Sequence, residues 1–162
     1  MNDYSSVVVR DEHVEALRLF LLGDPEWPKA LKDPEREGDA FALMVYAAFA
    51  VVVRRELPPT FTYPQIVRYV ADLRTSRNGG ERGIDPRVTE NLIRAALGDA
   101  SVDEEPDPAP EIVAAGELAV LEDLLPRSVA DEAGLEDFLG ESAAFARAWL
   151  TARQEREQAS AG

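Results

Sequence analysis

The chain of 162 residues contains no cysteine and a single histidine, His13. The missing thiols exclude disulfides, thiolate-bound zinc, iron–sulfur clusters and cysteine nucleophiles. With one histidine, the H-E-x-x-H zinc site is out of reach. His13 falls in the first turn of an expected helix, where a solvent-exposed side chain is anticipated. Lysine is also scarce: only Lys29 and Lys32 stand among 17 basic residues. Arginine in place of lysine, with abundant alanine, suggests a GC-rich genome, as in many bacteria. The N-terminus lacks a basic stretch followed by an apolar one, so no secretory signal is read there. The longest apolar run, residues 40–53, is 14 residues long. A membrane-spanning helix needs about 20. The expectation is a cytoplasmic protein with no membrane role.

What is present is enough for a core. Hydrophobic residues make up 46% of the chain, and a domain of this size buries roughly two thirds of its unfolded surface. The formal net charge is −14, from 31 acidic and 17 basic side chains. The charge is segregated. Residues 50–98 hold 8 arginines against 5 acids, net +3, whereas residues 99–162 hold 4 basic against 16 acidic, net −12. Such asymmetry marks an interaction surface, while the overall acidity disfavours nucleic acid and anionic lipid.

Hydrophobic periodicity reads as helix nearly throughout. A first helix is expected from 11 to about 23, with Val14, Leu17, Phe20 and Leu21 inward and Gly23 as the stop. Prolines at 25, 28 and 34 then interrupt, leaving room for one turn at 27–32 with Trp27 over the core. A second helix spans about 39–56 and is apolar on almost every side, which belongs in the middle of a bundle or under an oligomer interface. Thr62 with Gln65 has the capping-box spacing that opens a third helix, 63–75. Asp85 followed by Pro86 is a paired N-cap and N1 signal for a fourth. Residues 99–110, with three prolines and five acids, form an acidic linker that cannot bury enough surface to order itself. A helical segment at 111–157 completes the chain: a helix over 111–125 with a seam of Ile112, Leu118, Leu121 and Leu125, a short helix at 131–139, and a last helix at 141–157. The fold expected is all-α: one domain, a compact bundle of five to seven helices around the apolar helix at 39–56. A minor two-stranded element, pairing residues 5–10 with 60–63, is the alternative for those segments.

No local pattern carries catalysis. The glycines at 79, 80 and 83 miss both the P-loop and the dinucleotide spacing. The acids at 103–107 lack the glycine and the terminal glutamate of a calcium loop. The stretch around Ser142 lacks the second glycine of a nucleophile elbow. Catalytic, cofactor and metal residues are therefore assigned to none, and no cofactor is expected. Two surfaces remain. One is the arginine set Arg68, Arg74, Arg77, Arg82, Arg87 and Arg94, suited to an acidic partner. The other is the aromatic seam Phe138, Phe145 and Trp149, which either completes the core or docks on a partner. The expected function is a small non-catalytic interaction, regulatory or assembly protein, with a protein partner or a second copy as its ligand. The alternatives are a nucleic-acid-associated regulator using residues 68–94, or a carboxylate- or magnesium-dependent helical enzyme.

Overall fold

A computed structural model describes residues 4–76, 84–99 and 108–161; side chains at 34–36 are not described. Six α-helices and one 3-10 turn make up the ordered elements among these residues. They are α1 (Asp11–Leu21), the 3-10 turn (Trp27–Ala30), α2 (Pro34–Glu56), α3 (Tyr63–Ser76), α4 (Pro86–Ala96), α5 (Pro110–Ser128) and α6 (Glu132–Ala161). The fold is all-α, with no strand among the described residues. None of these helices is long and apolar enough to cross a membrane.

Local chemistry explains most boundaries. The Asp85 carboxylate accepts the Val88 amide at 3.1 Å, and Pro86 takes the first helical position of α4. At α3, the Thr62 amide donates to Gln65 Oε1 at 2.7 Å, and the Gln65 amide donates to Thr62 Oγ1 at 3.3 Å, a reciprocal capping box. Gly23 and Gly98 follow the ends of α1 and α4 with φ of +76° and +96°, a backbone that glycine enters without steric penalty.

Three expectations change. The second helix begins at Pro34, not near 39, because Pro34 starts the helix instead of interrupting it. The two C-terminal helices are one: the Gly134 amide donates to Asp131 Oδ1 at 2.7 Å to start α6, and Gly140 stays helical. The strand alternative for 5–10 and 60–63 is replaced by side-chain pairing. Backbone carbonyls of Tyr4 and Val7 accept from Gln154 at 3.0 and 3.4 Å, and that of Val9 accepts from Arg147 at 3.3 Å. An extended segment whose carbonyls are satisfied this way needs no partner strand. The other segment belongs to the α3 cap. Parts of the acidic linker, 100–107, and of the glycine loop, 77–83, lie outside the described residues.

The chain divides into two compact units. Unit 1 comprises Met1–Ala48 and Leu135–Gly162, and unit 2 comprises Phe49–Gly134. In unit 1, α1 packs on the 3-10 turn, and Trp27 stacks on Phe41 with ring centroids 4.8 Å apart. The Arg18 guanidinium grips Glu136 through two bonds of 2.7 Å, which holds that carboxyl below the usual range. Tyr46 lies against Phe145 and Trp149, and Tyr4 meets Trp149 edge-on at 5.0 Å.

In unit 2, α4 packs on both α3 and α5. Arg54 donates to the Ala96 carbonyl at the end of α4 at 2.9 Å, and Tyr69 donates to Asp123 at 2.8 Å. The α4–α5 approach is set by Gly116: a Cβ there would lie 2.8 Å from Thr89 Oγ1 and 3.3 Å from Leu92 Cδ1. The face α5 buries is therefore Gly116, Ala119, Val120, Leu121 and Leu124, while Ile112 is exposed and Leu118 and Leu125 are half-buried. The expected seam is rotated because small residues, which a search for large apolar side chains passes over, permit the closest approach.

Glu117, beside that glycine, is only 5% exposed, and burial pushes its carboxyl up to about 8. The folded chain thus keeps a proton there that the unfolded chain releases above about pH 4.5. Unfolding is favoured as protons are withdrawn, so stability falls as pH rises from about 4.5 to about 8. Glu117→Gln is expected to remove this slope and to raise stability at pH 8 by an amount approaching 4–5 kcal/mol, roughly the value of 3–4 pKa units, as read by urea unfolding across pH. Gly116→Ala should destabilise by about 1–3 kcal/mol through overpacking. Thr89→Ala in the same chain should recover part of that loss, and the double-mutant cycle measures the coupling.

Candidate functional site

The nine residues expected to form partner surfaces separate into distinct groups. Arg68 and Arg74 are exposed on α3, with neither an ion pair nor a hydrogen bond among the described residues. Arg87 is exposed on α4 and takes part in an interaction of its own. Arg94 is committed internally: it pairs with Asp99 at 2.9 Å, donates to Asn91 at 3.2 Å and lies over the Tyr63 ring at 4.9 Å. Arg77 and Arg82 lie outside the described residues. Phe138 is fully buried, so its ring is core. Phe145 and Trp149 are half-buried against Tyr46 within unit 1.

The outward side of α3 carries more than the arginines. Tyr63 is 48% and Val67 37% exposed, two of the few large apolar side chains so placed. Helical geometry puts Tyr63, Val67 and Arg74 in one column, with Ala71 beside it and Arg68 on its far edge. Ile66, Val70 and Leu73 form the buried stripe directly beside that column, so Tyr63, Val67 and Arg74 lie along its exposed border. The sequence marks the inward stripe, but Val67 carries no sign that it points outward until the register of that stripe is fixed.

A second constellation lies in unit 1 and has no counterpart among the expected sites. Glu12, His13 and Glu37 bring one potential ligand atom each to within 4.8 Å of one another. His13 and Glu37 also line a pocket of about 310 Å³ with Ser6, Arg10, Asp33 and Asp39. His13 is 2% exposed, against the expectation of a solvated side chain. The reason is local. His13 occupies the third position of α1, and its Nδ1 accepts the Arg10 amide at 2.9 Å, capping the helix with an imidazole. That bond places the neutral ring's proton on Nε2. Nε2 is buried, has no hydrogen-bond partner, and stands 3.6 Å from Glu37 Oε1, too far for a hydrogen bond.

Glu37 is oriented by its own helix start. Its Oε2 accepts the Asp33 amide at 3.1 Å. That bond, with the adjoining Glu12 carboxyl and His13, holds Glu37 below the usual carboxylate range. Glu12 is approached by Lys32 at 3.7 Å, an ammonium that is 84% exposed and loosely held. No residue type in R-D-E-H or D-P-E-R-E distinguishes this grouping in the sequence, because it forms only when two helix starts meet.

The histidine cap makes a direct expectation. In metal-free protein, long-range 15N–1H correlation of the sole imidazole should show Nε2 protonated and Nδ1 bare; the opposite tautomer would dissolve the cap. His13→Ala should cost about 1 kcal/mol, the usual scale for a lost N-terminal cap, in chemical unfolding. Comparison with protein-family models, curated proteins and solved structures finds no match to this chain.

Proposed function

We propose that the protein is a non-catalytic interaction protein that uses the outward face of α3 to hold an acidic helical segment of a protein partner. The observation that supports this reading is the pair of arginines without ion pairs. In a chain with 31 acidic and 17 basic side chains, a guanidinium finds a carboxylate easily, as Arg18, Arg94, Arg127, Arg147 and Arg153 do. Arg68 and Arg74 do not, among the described residues; Arg10 and Arg156 share that lack, but only the α3 pair stands on a helix that also exposes Tyr63 and Val67. An apolar pair one turn apart with cations at its edges matches an amphipathic helix bearing acids beside its apolar stripe. Tyrosine and arginine are also the side chains that most often anchor such contacts.

The charge balance makes the partner's chemistry specific. A protein of net −14 repels most acidic partners at long range, so only one that reaches this local basic patch gains from it. The face accordingly selects by position as much as by sign.

Crosslinking capture from the native host tests the reading when the parent chain is compared with Arg68→Glu/Arg74→Glu and with Val67→Asp. All three substitutions lie at exposed positions and should leave the helical circular dichroism unchanged. A partner bound by the parent chain is expected to bind each variant about tenfold or more weakly, and to weaken further as salt is raised. An identical set of captured proteins for parent and variants sinks the proposal. Salt-sensitive binding of a duplex oligonucleotide, lost on the same charge reversals, would give the face to nucleic acid instead.

A further inference from the structure

We propose that Glu12, His13 and Glu37 form a binding site for a divalent transition-metal ion of the Zn²⁺ or Mn²⁺ class, tying the first turn of α1 to the first turns of α2. The inference concerns unit 1 and is independent of the α3 face.

Three observations support it. First, the ligand atoms are already gathered, within 4.8 Å of one another, from two helix starts. Second, the closest imidazole–carboxylate spacing is 3.6 Å. That is too long for a hydrogen bond, yet two donors about 2.1 Å from one ion at the tetrahedral angle lie about 3.4 Å apart. Third, His13 Nε2 is a buried polar atom with nothing to bind. Such an atom is costly in a folded protein and calls for a partner. The two acids also stand close to each other, with a carboxylate oxygen of Glu12 and one of Glu37 inside the same 4.8 Å. Two like charges that close repel, and a cation between them relieves the repulsion.

The donor set chooses the class of ion. Two carboxylate oxygens and one imidazole nitrogen suit Zn²⁺ or Mn²⁺; Mg²⁺ and Ca²⁺ prefer oxygen throughout. Three protein ligands leave coordination positions open toward the pocket. The exposed Lys32 ammonium, 3.7 Å from Glu12, can withdraw into solvent as the ion enters.

Binding has a built-in signature. Nδ1 accepts the Arg10 amide, so Nε2 carries the proton in the metal-free ring. To ligate through Nε2, the imidazole must move its proton to Nδ1 and release the Arg10 amide, which lies at the exposed end of the N-terminal segment. The ion thereby exchanges a helix cap for a metal bond. Because His13 is the only histidine, its ring signals report this switch without assignment ambiguity.

Thermal unfolding and imidazole 15N spectra of the full chain, with Zn²⁺, Mn²⁺, Mg²⁺ or Ca²⁺ added to chelator-treated protein, test the site. Zn²⁺ at about 100-fold over Kd should raise Tm by about 5 °C or more and convert His13 to the Nδ1–H tautomer. Mn²⁺ should raise Tm similarly and broaden the His13 signals selectively. Glu12→Gln and Glu37→Gln should each lose the shift, while the exposed Glu155→Gln keeps it. Should a variant fail to fold, the His13 spectrum of the parent chain decides by itself. Unchanged His13 signals at saturating Zn²⁺ overturn the proposal. So do equal Tm shifts in parent and variants, or an equal response to Mg²⁺ and Ca²⁺, since each would mean diffuse attraction to an acidic surface.

Discussion

The constraint on which the rest depends is the run at 40–53, a stretch of α2 with apolar side chains on every side. A helix with a single apolar stripe can rest on a neighbour and show its other face to water; this one cannot. Leu43 to Val45 and Ala47 to Val53 are all buried, with Met44, Ala47, Ala48, Phe49, Ala50, Val52 and Val53 at zero exposure. At about 25 cal/mol per Å² of apolar surface, leaving such a helix half-covered would forfeit several kcal/mol. The chain therefore has to cover most of it, and within the run only Ala42 is exposed. Its first part belongs to unit 1 and its last part to unit 2, so both units are organised by the same sequence feature. Past the run the helix meets solvent at the exposed Arg54 and Arg55, whose guanidiniums reach the Ala96 carbonyl and the Ser128 hydroxyl.

A second theme is that helix starts and loose backbone are satisfied by side chains, and that these same side chains create the chemistry. The N-terminal segment could have paired as a strand. Instead, Arg147 and Gln154 take its carbonyls, and its last amide is taken by His13. A backbone donor that would otherwise be orphaned thus fixes the tautomer of the only imidazole in the protein. At the start of α2, the Asp33 amide fixes Glu37 in the same manner. Two capping arrangements, each ordinary alone, meet at one pocket. Neither was assembled by a motif, which is why the grouping follows from packing and not from residue spacing.

The same distinction accounts for what could be read from the sequence. Features governed by nearest neighbours were legible: the Thr62–Gln65 box, the Asp85–Pro86 start, the stop at Gly98 and the burial of most of the apolar run in α2. Features governed by tertiary approach were not. The buried face of α5 turns on Gly116 meeting Thr89, and a glycine in a helix announces flexibility as readily as contact. Gly140 read as a break, yet α6 continues through it, since one glycine costs only about 1 kcal/mol against alanine. His13 read as exposed because a charged-looking first turn usually is; nothing nearby in sequence shows that Glu37 will be beside it. Of the expected partner residues, Phe138 has gone to the core and Arg94 to internal bonds, while the apolar neighbours that give Arg68 and Arg74 their meaning, Tyr63 and Val67, emerged only once α3 had a register.

Charge supplies the last step. A net charge of −14 has a self-repulsion that favours any arrangement bringing cations toward carboxylates. Most of the protein answers this with internal pairs, including the two-bond grip of Arg18 on Glu136. Among the described residues, α3 and the pocket in unit 1 answer it in opposite ways. On α3, Arg68 and Arg74 stand without a carboxylate partner among the described residues; in unit 1, Glu12 and Glu37 gather beside the His13 imidazole, with the exposed Lys32 ammonium 3.7 Å from Glu12. Each is electrostatically incomplete in a way that the other residues of its own unit do not cure. An acidic segment completes the first and a divalent cation completes the second. The two ligands differ in sign because the two deficits do, and this complementarity follows from the placement of individual side chains, where the overall charge alone would have argued for neither.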